Sequence, residues 1–234
     1  MKETLTGIII KETNYSETSK ILNILTLEHG LISVISKGSR TMKSKLRGIS
    51  MKMVYGEFTI TYKEKGISTL IEGSLINSFK NIMNNFSYMK YANLCVNLVR
   101  NVLKENNDKR IFICLRDSLV KINDGFNPEI IYYILSIKLL DFLGVKPDFN
   151  YCINCNGEDI ITFDLNIPGA ICSNCYHDTY LFQSNTLKLL KLFQTIDISK
   201  LSKLNITNIK VMEELGYFIK EYYDSYTGIY YTIK

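Results

Sequence analysis

The chain has 234 residues, 46% apolar and 22% charged, with a net charge of +5. That is globular composition, enough for one large domain or two or three small ones. It excludes a disordered chain, and no run approaches the ~18 apolar residues of a membrane span.

The charge is unevenly spread. Residues 1–80 hold twelve Lys/Arg against seven Asp/Glu, leaving sixteen of each for the rest, so the whole excess sits in the first third. The start, MKETLTGIIIKETNYSE, has only a three-residue apolar core flanked by acids, unlike a signal-peptide h-region. The expected location is the cytoplasm, where thiols stay reduced.

Five short strands are expected first: Leu5–Lys11, Lys20–Leu27, Leu31–Ser36, Glu57–Tyr62 and Ser68–Ile76. The fourth is the clearest, with Phe58, Ile60 and Tyr62 alternating with Thr59 and Thr61, the period of a half-buried strand. Five strands separated by turn signals predict a small barrel or sandwich. The connection after the third strand reads SKGSRTMKSKLRG, with Lys37, Arg40, Lys43, Lys45 and Arg47 and no acid. Adding Lys52, six bases and no carboxylate lie between Glu28 and Glu57. Such a patch attracts polyanions, and Lys, Arg, Ser and Thr are the residue types that contact phosphate oxygens. Its bland alternative is a solvated loop. A barrel with a basic loop is the oligonucleotide/oligosaccharide-binding (OB) arrangement. Tyr15, Tyr55, Phe58 and Tyr62 are the candidate stacking residues, Phe58 and Tyr62 fitting a core better.

Near residue 80 the period changes to 3.6. Tyr88, Tyr91, Ala92, Cys95, Leu98, Val99 and Val102 share one helical face, and Ile111, Phe112, Leu115, Leu119 and Ile122 another. A third helix opens on Asn127-Pro128 and stops at Gly144, with Ile131, Ile134, Leu135, Leu139 and Phe142 facing inward. Further helices are expected near 186–194 and 206–226. The expected fold is thus α+β and multi-domain: an N-terminal five-stranded OB-type barrel over 1–80, then a helical domain over 81–234 carrying a cysteine-rich insert at 150–180.

That insert reads CINCNGEDIITFDLNIPGAICSNC, pairing Cys152-x2-Cys155 with Cys172-x2-Cys175. Two-residue spacing lets one turn present two thiolates to one metal, and two such turns complete a tetrahedral Zn²⁺ site. Four sulfurs close the coordination shell, so this single ion is structural. Disulfides would need an oxidising compartment, and a redox CxxC needs only one pair. An iron–sulfur cluster is the remaining competitor, although its common spacings differ. His177 is an alternative to Cys175 as fourth ligand. Cys95 and Cys114 read as small buried hydrophobes.

Catalytic patterns are missing. Two histidines, His29 and His177, exclude HExxH and leave little for a nucleophile–His site. Lys43-Ser44 ends like a phosphate loop, yet Met42 and Lys37 stand where that loop needs Gly. No catalytic residues are assigned.

Taken together, GIIIKETNYSETSKILNILTLEHGLISVISKGSR, the basic loop, LLDFLGVKPDFNYCINC and GAICSNC resemble the RecO family of bacterial recombination mediators. The resemblance runs along most of the chain and weakens at GIYYTIK, which lacks a basic, serine-containing finish. It implies an OB fold, a helical domain and a zinc segment on the four cysteines. It also implies a DNA repair and recombination role: binding of single- and double-stranded DNA, annealing of complementary strands, and partnership with RecR. The further implied partners are single-strand-binding protein (SSB), whose acidic C-terminal tail would dock on the helical domain, and RecA, loaded indirectly. On this resemblance the DNA contacts fall on Lys37, Arg40, Lys43, Lys45 and Arg47, joined by Lys11 and Lys20 across the barrel. Two other classes stay open from the residues alone: an OB/zinc-ribbon RNA-binding protein of the translation apparatus, and a scaffold whose basic loop meets an acidic protein.

Overall fold

The computed structural model describes residues 1–231, so the last three residues of GIYYTIK lie outside it. The chain divides into two compact units, Met1–Gly125 and the chain from Phe126 onward. The change from strand to helix near residue 80 falls inside the first unit.

In the first unit, β1 (Lys2–Asn14), β2 (Lys20–Thr26), β3 (Gly30–Ser36), β4 (Tyr55–Thr61) and β5 (Ser68–Asn77) form a closed barrel in the order β1-β2-β3-β5-β4. Most neighbours pair antiparallel over about the length of a strand. Closure is the exception: β3 meets β5 in parallel through Val34–Ser68 and Ile35–Thr69 alone. The interior holds Leu5, Ile9, Leu22, Ile24, Phe58 and Ile60 among others, the alternate positions of their strands. Phe58 is therefore a core residue. The GIII run of β1 has a further reason. Ile9 faces the barrel interior, while Ile8 and Ile10 on the opposite face are also fully buried, and two helices pack on β1.

Those helices are α2 (Phe86–Glu105) and α3 (Arg110–Asn123), preceded by the short α1 (Lys80–Asn84). Helix α2 starts on Asn85, whose side chain accepts from the Tyr88 amide. Asn81 of α1 bonds both the side chain and the carbonyl of Asn123, tying α1 to the end of α3. Asn107 accepts the Leu31 amide at 2.9 Å, fixing the α2–α3 link on the start of β3. Tyr55 lies against Phe79 and Phe112, so it too is used in packing.

The second unit is built on α4 (Pro128–Phe142), with α5 (Ser184–Thr195) and α6 (Ile209–Tyr226) packed on it. Helix α4 is capped by Asn127 with Pro128 in the first turn, as the sequence indicated. It is buried on nearly every side rather than along one stripe: Tyr132, Tyr133 and Ile137 are as buried as Ile134, whereas Phe142 is only half-buried. A hairpin of β6 (Ile160–Asp164) and β7 (Gly169–Cys172) follows. Its Phe163 packs among Phe149, Phe218 and Tyr222, giving the small insert an aromatic footing. Among the described residues no helix is long and apolar enough to cross a membrane.

Candidate nucleic-acid interface and metal centre

The β3–β4 connection, residues 37–54, carries the acid-free basic block, and it is an ordered arch. Three successive turns are closed by Thr41, Ser44 and Arg47 amides donating to the Gly38, Thr41 and Ser44 carbonyls. Gly38 begins the first turn at φ 70°, which its lack of a side chain permits. The hydroxyls expected to reach phosphate are mostly used inside the arch. Ser36 bonds Ser50 at 2.8 Å, Ser39 donates to the Ser36 carbonyl, and Thr41 donates to the Gly38 carbonyl.

Both ends of the arch are pinned. At the near end the Arg40 amide donates to the Thr18 carbonyl and its guanidinium to the Ser16 carbonyl, fastening it to the β1–β2 turn. At the far end the Met53 amide donates to the Ile9 carbonyl, and the Ile9 amide to that of Val54. Ile49 plugs the barrel between, over two strand glycines. A Cβ on Gly73 would come within 2.8 Å of Ile49, and one on Gly56 within 2.4 Å of the Ser74 carbonyl oxygen.

The predicted contact residues divide accordingly. Lys37, Lys43, Lys45 and Arg47 are exposed on the arch and free of any ion pair among the described residues. Arg40 is exposed but spent on a carbonyl. Lys11, exposed, sits at a bulge of β1. Lys20 is half-buried, ion-paired with Glu12, and donates to the Ser50 carbonyl. Of the candidate stacking residues only Tyr15 is freely exposed, in the turn that Arg40 grips. Tyr62 is stacked on His29 with ring centroids 4.4 Å apart. The sequence reading missed Arg100 on α2, a half-buried cation without hydrogen bond or ion pair among the described residues. It lies within Coulombic reach of Lys52. No linear signal marks it, because α2 meets the arch only through folding.

In the second unit all four predicted cysteines converge, each offering a sulfur within 4.8 Å of the others. Cys155 and Cys172 are 3.5 Å apart. A tetrahedral centre with metal–sulfur bonds of about 2.3 Å needs sulfurs about 3.8 Å apart, so one ion fits. The first pair is shaped by a tight turn in which the Asn156 amide donates to the Cys152 carbonyl, with Asn156 at φ 61°. The second pair is delivered by the end of β7 and a single 3-10 turn, Ser173–Cys175. Burial would push the Cys152 thiol up, but backbone N–H groups of Cys172, Asn154 and Cys155 bring it down to about 6. Hydrogen bonds with the Cys155 and Cys172 sulfurs push Cys175 up to about 12. Four thiolates this close repel one another, and a cation among them would offset that repulsion. His177 instead faces Asp164, with Nε2 3.4 Å from Oδ2. Cys95 is buried, and burial raises its thiol far above the ordinary range, as for an inert core residue.

The chain thus combines an OB-like barrel bearing a pinned cationic arch with a helical unit that holds a four-cysteine cluster, the class of fold of a non-catalytic OB protein with a structural metal segment. Comparison with known proteins makes this specific. Residues 1–79 match the family model "Recombination protein O N terminal", and residues 83–232 match "Recombination protein O C terminal". The DNA repair protein RecO of Bacillus subtilis is 32% identical over 229 residues, covering 96% of this chain and 89% of that relative. The corresponding protein of Bacillus cytotoxicus is 32% identical over 235 residues, covering 98% and 94%. That of Halalkalibacterium halodurans is 27% identical over 229 residues, covering 96% and 89%. The chain belongs to the RecO family of DNA repair and recombination proteins, mediators without catalytic activity.

Proposed function

We propose that this protein binds single- and double-stranded DNA by charge, anneals complementary strands, and with RecR helps load RecA onto DNA coated by single-strand-binding protein. The observation that carries the reading is the arch: four exposed cations without an ion pair among the described residues, on a connection free of carboxylates from residue 29 to 56. Lys37, Lys43, Lys45 and Arg47 make the phosphate contacts, with Lys11 an outlying one. Arg40 and Lys20 chiefly hold the arch in place, and Tyr15 offers a stacking face beside it. Neutralising phosphates releases condensed counterions and supplies affinity without reading sequence. Two strands neutralised together repel each other less, so annealing needs no nucleotide hydrolysis. Residues 1–80 form the nucleic-acid-binding domain. Residues 81–234 form the helical domain, which meets the SSB tail, with the metal segment at 150–180. The ion there is one structural Zn²⁺, the protein works in the cytoplasm at the nucleoid, and DNA rather than RNA is its nucleic acid. A salt-titrated binding and annealing assay, with and without single-strand-binding protein, tests this. Oligonucleotides ignored in dilute buffer, or RNA bound in preference to DNA of equal length, would overturn it.

A further inference from the structure

At the root of the arch, within the first unit, lies a cavity of about 400 Å³ that the backbone-contact mechanism does not use. That volume is in the range of small-molecule sites. Its walls are thioether and aliphatic: Met51, Met53, Leu75 and Met83. Met51, Leu75 and Met83 are roughly half exposed, an apolar surface the fold leaves open to water. Its charged lining is Lys52 and Lys80, with no carboxylate, and Ser78 and Asn84 add hydrogen-bonding groups. Gly48, the residue after Arg47, is part of its lining, so the cavity adjoins the arch.

Lys52 adds a second, independent observation. It is half-buried, and its Nζ donates to a neutral amide, Asn93 Oδ1, at 2.7 Å. Burial first, and then the charge of Arg100, hold its ammonium below the ordinary lysine range; Glu12, which faces it from β1, opposes this but is itself paired with Lys20. An anion at the cavity mouth would supply the missing countercharge.

We infer that this cavity receives one unstacked nucleobase of a single strand, its flanking phosphate held by Lys52 and Lys80. The thioethers of Met51, Met53 and Met83 suit a π-face, since sulfur–aromatic contact is favourable for any base. Ser78 and Asn84 meet the base edge without demanding one sequence. A base within a duplex cannot enter, so the cavity gives the arch, otherwise indifferent to strandedness, a preference for single strands. The inference rests on the DNA-binding reading above.

The test combines two variants with one spectroscopic probe. Leu75→Ser with Met83→Ser removes half the wall at exposed positions and leaves every cation in place. Affinity for an oligothymidylate should fall about fivefold, with duplex affinity and both salt slopes unchanged. In the wild-type chain labelled at methionine methyl groups, Met51, Met53 and Met83 should shift by ring current on adding oligothymidylate but not duplex, with Met212 as internal control. Equal loss on both DNA forms, no loss on either, or unmoved methyl signals would overturn the inference. Methionine shifts produced by an acidic peptide that oligothymidylate does not displace would overturn it in favour of a protein partner. The arch variant Lys43→Ala/Lys45→Ala/Arg47→Ala keeps the two readings apart. If it leaves the salt slope intact, DNA binding through the arch fails; if it flattens the slope while the cavity variant does nothing, only the cavity is lost.

Discussion

Replacing Lys43, Lys45 and Arg47 together by alanine is the sharpest perturbation of the arch. All three side chains are exposed and make no ion pair or hydrogen bond among the described residues, so their removal breaks no internal polar contact. The Arg47 amide bond to Ser44 is made by backbone and survives. With Arg40 engaged on the Ser16 carbonyl, four arch cations remain for phosphate in the wild type. At about 0.7 per phosphate on a single strand, the arch should contribute about −2.8 to the logarithmic salt slope in the wild type and about −0.7 in the variant, a flattening of about two units. Between about 50 and 200 mM salt the arch's share of the affinity should fall roughly fiftyfold in the wild type and less than about threefold in the variant. Fluorescence anisotropy of a labelled single strand over that salt series reads both slopes, and thermal unfolding checks that the fold is unchanged. An unaltered slope in a folded variant would refute the reasoning and place the DNA elsewhere on the chain.

Other outcomes follow from the same geometry. Lys20→Ala should leave the slope alone but lower thermal stability, since it strands the partly buried Glu12 carboxylate and drops the bond to the Ser50 carbonyl. Tyr15→Ala should weaken single-strand binding by about 1 kcal/mol or more without affecting the melting temperature, measured by parallel titration and calorimetry. Cys172→Ser, or chelation, should release one equivalent of metal and raise hydrogen exchange across 150–180, with oligonucleotide affinity barely changed; equal loss of both would show that the metal segment touches DNA. Asp224 accepts from the Tyr231 amide at 2.9 Å and from Lys220 at 3.0 Å, and the backbone bond chiefly holds its carboxyl below the ordinary range. A depressed carboxyl stabilises the fold above its unfolded value of about 3.9 and loses that contribution as pH falls further. Asp224→Asn should therefore narrow the gap between melting temperatures at neutral and acid pH, followed by circular dichroism.

The strands and most helices were legible because their signals are local. Alternation in FTITY marks β4, and Asn-Pro and Gly bracket α4. The metal centre was legible because two-residue spacing already forces paired sulfurs into one turn, leaving only the meeting of the pairs to the fold. The hairpin Ile160–Asp164 with Gly169–Cys172 was not, since strands of five and four residues are too short to show a period. Helix α1 follows Phe79 at φ 49°, a conformation that no propensity anticipates for phenylalanine. The basic arch was visible as composition, but not which of its charges are free. That division depends on the Ser16 carbonyl, 24 residues from the Arg40 it engages, and on Glu12, which pairs Lys20 across the β1–β2 hairpin. Tyr55 looked like a binding aromatic because a half-buried ring and a waiting platform have the same sequence signature.

The stapling of the arch at both ends has a consequence beyond placing charges. Four like charges on a floppy tether would drift apart and then have to be gathered when a polyanion arrives. Held instead on consecutive backbone turns, they keep their mutual repulsion, and an incoming strand relieves it at once. On the proposed reading the fold has met the cost of assembling the comb before any DNA is present, so capture would be limited by encounter rather than by rearrangement.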